Sequence, residues 1–261
     1  MAIRDTPWPA GTPCWVDLLT PDLARARAFY AGLFGWSIRS EPPEANGYCI
    51  AEVDGRDVAG MAPKLDTAGL PTAWTTYFAT DAADMTAGSI LAAGGQLLAE
   101  PFDVLDAGRM AMAADPGGAV FGIWEARAHL GAKLAGESGA LAWSQNMSRR
   151  PAGNMAFYRS VFGYTFDGAG TADPGYATVN LNGSAVGGIG ELDTGHPAGE
   201  PAHWSVYFAV TDADAAAARA AEMGGEVIAP ARDSPVGRAA TVSDDQGAVF
   251  LVLASAPGYQ A

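Results

Sequence analysis

The chain has 261 residues, 49% of them hydrophobic, and carries 15 Lys and Arg against 29 Asp and Glu for a formal net charge of −14. That charge repels phosphate backbones and argues against a nucleic-acid partner, while the apolar content is that of a globular protein with a sizeable core rather than a disordered chain. The opening MAIRDTPWPAGTPCW lacks an apolar export core and no run of about 18 apolar residues follows, so neither export nor membrane spanning is expected and a cytoplasmic location is.

In chain order, PCWVDLL (13–19) reads as a strand, with Thr20 as helix cap and Pro21 at the first helical position. DLARARAFYAGLF (22–34) is the helix, stopped near Gly35. GYCIAEVDG and RDVAGMAP follow as short strands bounded by turn residues. A second unit repeats this order: AWTTYFAT is a strand, DAADMTAGSILAA a helix closed by Gly94 and Gly95, and QLLAEPFDV, GRMAMAADP and GAVFGIWEA are strands. Cys14 and Cys49 fall inside strands and read as small buried apolar residues rather than a disulfide. The three histidines, His129, His196 and His203, are too few and too scattered to make a zinc site by themselves.

The second half repeats the first. An offset of 128 places Trp143, Phe157, Tyr158, Phe162 and Gly163 on Trp15, Phe29, Tyr30, Phe34 and Gly35. At an offset of 130, Trp204, Tyr207 and Phe208 fall on Trp74, Tyr77 and Phe78, and at 129 DDQGAVFLVL falls on DPGGAVFGIW. The expected organisation is a first domain over 1–128 (units at about 11–65 and 72–128), a Gly- and Ala-rich connector over 129–140, and a second domain over 141–261 (units at about 139–193 and 201–256).

The run D-x3-A-x2-FY-x3-FG from Asp22 to Gly35 and the DP-x-G lead from Asp115 to Phe121 resemble the βαβββ modules of the vicinal oxygen chelate superfamily, which includes glyoxalases, bleomycin-resistance proteins and extradiol dioxygenases. The two-domain layout is similar to an actinobacterial glyoxalase-like, hydroxylase-labelled branch. The resemblance covers about residues 11 to 256 and implies an α+β fold of two tandem glyoxalase-like domains, each pairing two modules into a U-shaped cup. It also implies metal ligands on the first and last strands of each module, a His or Gln and a Glu. Those positions hold Trp15, Thr75, Trp143 and Ser205 on the first strands, Gly122 and Leu251 on two last strands, and small apolar residues on the others. None is a good ligand, so no cofactor is expected. A divalent metal would need relocated ligands, for which Asp17, Glu52 and His203 are the candidates.

Alternation along the strands sends Val16, Leu18 and Thr20 toward the helix and Trp15, Asp17 and Leu19 into the first cup. The matching inward residues of the second cup are Trp143, Gln145 and Met147. Thr75 and Tyr77 point into the first cup, Ser205 and Tyr207 into the second. Tyr48, Ile50 and Glu52 face the first cup, where the second has Tyr176, Thr178 and Asn180. Two inward carboxylates, Asp17 and Glu52, thus have amide counterparts, Gln145 and Asn180, and only the carboxylates titrate. If one cup is catalytic it is the first, with Asp17 or Glu52 near Trp15 and Trp124 and its pKa raised by apolar walls.

Both carboxylates also admit a structural reading, as acceptors of backbone or indole hydrogen bonds, and the aromatics a reading as core. Arg109 and Arg238, each following a Gly, read equally as anion-binding or turn-fixing residues. His203 is read as the histidine near a cup mouth, or as an exposed loop residue. The function expected is binding of a small hydrophobic or aromatic metabolite in an aromatic-lined cup. Metal-independent acid–base conversion of the isomerase, cyclase or hydroxylase type would be carried by Asp17 or Glu52, with Tyr77 or Arg109 facing the developing oxyanion. The alternatives are non-catalytic sequestration and a metal enzyme with relocated ligands. With the halves paired in one chain, a monomer or weak homodimer is expected.

Overall fold

The computed structural model describes residues 2–64, 71–168 and 175–256, so position 65 and the chain ends within the expected boundaries lie outside the described residues. The first half contains β1 (Ala2–Ile3), β2 (Pro13–Thr20), α1 (Leu23–Phe34), β3 (Ser37–Ser40), β4 (Cys49–Val53), β5 (Arg56–Pro63), β6 (Ala73–Ala79), α2 (Ala83–Ala92), β7 (Gln96–Val104), β8 (Gly108–Ala114) and β9 (Val120–Ala126). After β10 (Leu134–Ala135) the second half runs through β11 (Leu141–Ser148), α3 (Pro151–Phe162), β12 (Thr165–Asp167), β13 (Tyr176–Leu181), β14 (Ser184–Glu191), β15 (His203–Ala209), α4 (Ala213–Glu222), β16 (Glu226–Ser234), β17 (Gly237–Ser243) and β18 (Val249–Ser255).

Each half makes one mixed sheet. The orders are β3-β4-β5-β2-β6-β9-β8-β7 and β12-β13-β14-β11-β15-β18-β17-β16, with β10 joined to β11 and β1 to β10. The first strands of the two units in a half pair antiparallel at the centre, β2 with β6 and β11 with β15. Each also lies parallel to the last strand of its own unit, as β2 does to β5 and β6 to β9. The architecture is α+β, two tandem glyoxalase-like domains of paired βαβββ units.

Two local expectations change, the helix cap and the strand count, while the stop at Gly35 is where it was expected. Thr20 stays in the ladder opposite Pro63, and Asp22 caps α1, its side chain accepting from the Arg25 N–H. A carboxylate there also meets the positive end of the helix. Gly35 ends the helix at φ 71°, a conformation that glycine reaches without a Cβ penalty. The unread strands β3 and β12 are short, largely exposed and polar, so no apolar alternation marks them.

The core ties the halves together crosswise. Val16, Leu18 and Tyr30 of the first unit share a cluster with Val206, Phe208 and Phe250 of the fourth, and Phe78 and Phe121 of the second share another with Phe157 and Tyr158 of the third. Buried polar latches follow the same pairing. The Tyr30 hydroxyl donates to Asp244 (3.0 Å) and accepts from the Trp74 indole (3.0 Å). The Tyr158 hydroxyl donates to Asp115 (3.0 Å) and accepts from the Trp204 indole (2.8 Å), while Asn146 and Asn154 also donate to Asp115. Asp115 and Asp244 are the acids of the repeated DP-x-G and DD-x-G leads, and each also accepts from backbone N–H groups of its own turn. The helices and the sheet faces behind them are therefore spent on joining the halves, and the opposite face of each sheet is left as a cup. Among the described residues, no helix is long and apolar enough to cross a membrane.

Candidate functional site

The alternation that buries Val16 and Leu18 in the helical core puts Trp15 and Asp17 on the other face of β2, at the base of a cavity of about 400 Å³. Its walls include Trp15, Tyr48, Ile50, Tyr77, Met110 and Trp124. Two loops form the rim: Glu41 to Asn46 before β4, and Phe102 to Ala107 at the β7–β8 turn. The volume lies within the range of small-molecule sites, and so does the mixture of apolar wall and few polar groups.

Asp17 is the polar centre of this cup. It is only 8% exposed, and its Oδ2 accepts hydrogen bonds from the Tyr77 hydroxyl at 3.1 Å and, at 3.5 Å, from Tyr48. The Tyr48 hydroxyl in turn accepts from the Trp15 indole at 2.8 Å. Burial raises the Asp17 pKa to about 7, outweighing the two tyrosine hydrogen bonds that favour its ionised form. Tyr48 and Tyr77 are themselves pushed well above the ordinary phenol range, by burial first and then by the Asp17 charge. Both hydroxyls therefore stay protonated and serve as donors.

The second cup keeps this frame and changes its centre. The Trp143 indole donates to the Tyr176 hydroxyl at 3.1 Å, as Trp15 does to Tyr48, and the Tyr207 hydroxyl donates to Oε1 of Gln145 at 2.8 Å, as Tyr77 does to Asp17. The Gln145 amide turns toward Met147 Sδ (2.6 Å). Register is kept as well: Asp17 stands between Gly60 and Thr75, and Gln145 between Gly188 and Ser205.

Not every candidate reaches a cup. Pairing slips by one residue after Ala51, which opposes Ala59 while Glu52 opposes Asp57, and Glu52 is drawn to Arg39 at 2.9 Å, outside the cavity lining. Asn180 similarly donates to Asp167. Arg109 is held by Asp84 and Asp103, as Arg238 is by Asp214 and Asp233, so each ties a helix start to a strand hairpin. Thr75 and Ser205 are half-buried ladder partners of Asp17 and Gln145, and Thr75 does not line the cavity. The His203 ring bonds to the Pro201 carbonyl.

The histidine at the first cup is His129, which the sequence reading left out. It lines the cavity, edge-on to Trp15 (ring centroids 4.4 Å apart) and to Trp124 (5.6 Å), and its Nε2 is buried with no hydrogen-bond partner among the described residues. Burial lowers its pKa to about 4, so it is neutral at pH 7. Its main chain is pinned: the N–H donates to the Ala107 carbonyl, and the carbonyl accepts from the Trp124 indole. Because it sits in the connector, with no strand period around it, sequence alternation could not place it.

The chelating metal of glyoxalase and extradiol chemistry does not fit these residues. Three of the four last-strand positions that would carry a ligand are glycines covered by tyrosines, and the fourth is Leu251, which has no ligand atom. A Cβ at Gly60 would collide with the Tyr48 hydroxyl, one at Gly122 with the Tyr77 ring, and one at Gly188 with the Tyr176 hydroxyl. The aromatic frame fills the space in which the chelate would be built. Among the described residues, no three His, Cys, Asp or Glu side chains gather as a ligand set, and Asp17, Glu52 and His203 do not converge.

Comparison with known proteins agrees with this architecture. The sequence profile of the Glyoxalase/Bleomycin resistance protein/Dioxygenase superfamily matches residues 14–123 and again 147–252. CFP32 of Mycobacterium tuberculosis, a glyoxylase by name, is 44% identical over 95% of this chain and 96% of its own length. The anthracycline biosynthesis protein DnrV of Streptomyces peucetius is 37% identical, covering 96% of both chains. In fold the chain is similar to the Mn(II)-bound glyoxalase of Novosphingobium aromaticivorans, with a TM-score of 0.64 and 16% identity over 94% of this chain and 82% of that one. It is likewise similar to the 2,3-dioxygenase LapB of Pseudomonas sp. KL28, with a TM-score of 0.62 and 14% identity over 94% of this chain and 92% of that one. Two matched repeats, the paired βαβββ sheets and whole-length relatives make the chain a member of the Glyoxalase/Bleomycin resistance protein/Dioxygenase superfamily.

Proposed function

We propose that the first cup binds a small, flat, aromatic metabolite and that Asp17 moves a proton on it without a metal. The observation that carries this reading is the buried Asp17 carboxyl, facing an aromatic-walled cavity and held at a pKa of about 7. A base poised near the working pH is well matched to taking a proton from carbon next to a carbonyl. In that step the C–H bond breaks, its proton goes to a carboxylate oxygen of Asp17, and the electron pair moves onto the carbonyl oxygen as an enolate. Asp17, once protonated, needs its two tyrosine donors less, which frees the Tyr77 hydroxyl to turn to the enolate oxygen. Return of the proton at a distant carbon of a conjugated enolate completes an isomerisation; alternatively the enolate carbon attacks a second carbonyl carbon of the same molecule, whose π pair moves to its oxygen and takes the proton from Asp17, which closes a ring, and neither route needs an external oxidant. The relative in anthracycline biosynthesis supports an aromatic polyketide as the ligand class.

The test is turnover of polycyclic phenolic ketones by the wild-type chain and by Asp17→Asn. A base role requires kcat/KM to rise with pH through about 7 and the substitution to cost on the order of a hundredfold or more, with ligand still bound. Unchanged turnover in Asp17→Asn sinks it. Sequestration without chemistry is the second reading, and the second cup favours it, since there the Trp–Tyr–Tyr frame persists around a group that cannot titrate. Recovery of every bound ligand unchanged supports that reading instead.

A further inference from the structure

We propose that the first cup is built for an aromatic ligand bearing a cationic amine, its ring body against Trp15 and Trp124 and its positive charge at the mouth. This rests on the reading of the cavity as an aromatic-binding site and adds the ligand's charge.

The lining contains Asp17, Glu41, Glu44, Asp103 and Asp106, and neither Lys nor Arg. His129 adds no positive charge, because its burial keeps the imidazole neutral at pH 7. Arginines stand behind the rim, but each is shared. Arg39 serves Glu41, Glu52 and Asp57; Arg109 serves Asp84 and Asp103; Arg127 also goes to Asp103. Carboxylates outnumber the cations they share, and Glu44 and Asp106, both exposed, make no ion pair among the described residues. A concave site lined by one sign of charge concentrates the opposite sign, and the −14 charge of the whole chain adds to the pull. The aromatic side chains of Trp15, Tyr48, Tyr77, Phe102 and Trp124 line the same cavity, and aromatic faces attract ammonium groups.

The lip is apolar as well as acidic. Phe102 and Leu105, on the hairpin that carries Asp103 and Asp106, are 45% and 54% exposed, apolar area that a ring system would cover. The matching hairpin of the second half is shorter, turning from Ser234 to Gly237 through Pro235 and Val236, and it has no counterpart of Asp106. Asp103 has a counterpart in Asp233, so the carboxylate that this hairpin adds at the cup with the buried acid is Asp106.

The experiment uses three anthraquinones of one shape, substituted at position 2 with aminomethyl, hydroxymethyl or carboxylate, and reads binding to the intact protein by quenching of Trp15 and Trp124 fluorescence. The aminomethyl compound should bind about tenfold more tightly than the hydroxymethyl compound, and the carboxylate most weakly. Added salt should shrink the spread, and Glu44→Gln combined with Asp106→Asn should cut the amine's advantage severalfold while leaving the hydroxymethyl compound unchanged. Equal affinity for amine and alcohol, or preference for the carboxylate, overturns the charge inference and leaves the aromatic site standing. Failure of all three to bind overturns the aromatic reading and the inference with it.

Discussion

The two cups are copies of one frame around different centres. In each, an indole holds a tyrosine hydroxyl, a second tyrosine donates to the central side chain, and glycine leaves room for a ring on the neighbouring strand. The first cup centres on a carboxyl whose burial lifts its pKa to about 7, the second on an amide of similar hydrogen-bonding shape. Backbone, register and the Trp–Tyr–Tyr frame are shared, so at the centre the two cups differ by one ionisable group. That difference also shows what the frame does alone, which is to hold a flat surface and a polar point in fixed geometry.

The largest effect should come from erasing that difference. Asp17→Asn gives the first cup the chemistry of the second, and turnover should fall on the order of a hundredfold or more while aromatic binding persists, as single-turnover and equilibrium assays would separate. The same substitution sharpens the comparison through stability. Folded Asp17 keeps its proton between its ordinary value of 3.8 and about 7, where the unfolded chain has lost it. Stability from this group is therefore complete below pH 3.8, declines as pH rises through 7 and is flat above, a span of roughly 4 kcal/mol. Denaturant melts from pH 4 to 8 should show the decline in wild type and its loss in Asp17→Asn. His129 acts in the opposite sense, because the unfolded imidazole gains a proton below 6.5 that the folded one refuses down to about 4. The difference between variant and wild type, rather than the wild-type curve, is the informative quantity.

Running the exchange backwards is the next test. Gln145→Glu buries a carboxyl in the second cup, beside the Tyr207 hydroxyl, and should destabilise by roughly 1–3 kcal/mol at pH 8 and less at pH 5. Tyr158→Phe removes a donor to Asp115 and the acceptor of the Trp204 indole, for a loss of about 1–3 kcal/mol in melts with no change of ligand affinity. Glu52→Gln should do least. Its partner Arg39 is half exposed and keeps Glu41 and Asp57, so stability should move by less than about 1 kcal/mol and turnover not at all. A large loss of turnover in Glu52→Gln would restore it as a candidate for the chemistry.

What the sequence showed and what it hid follow from the range of each interaction. The internal repeat and the strict alternation of β2 put Trp15 and Asp17 on one face and Val16 and Leu18 on the other, and that periodicity carries directly into the fold. Ile50 and Tyr48 follow from the same rule, with Cys49 and Ala51 buried behind them. The rule fails at Glu52, one residue further along, because a slipped register and a nearby arginine are properties of neighbouring strands. Arg109 misleads similarly: its partner Asp84 lies at the start of α2, reached only once the hairpin has folded back. His129 and the acidic rim are contributed by loops, where no period exists to say which way a side chain turns. The exchange of core between units one and four, and two and three, rests on pairings such as Tyr30 with Asp244, far apart in the chain.

The chemical distinction between the two cups rests most directly on the titration of Asp17. Carboxyl carbon-13 NMR of protein labelled at aspartate, followed from pH 4 to 9 in wild type and Asp17→Asn, would read it. The expected result is one carboxyl resonance with a midpoint near 7 that disappears in the variant. If the resonance lost on substitution instead titrates near 4, the first cup holds an ordinary carboxylate, and its chemical distinction from the second cup falls.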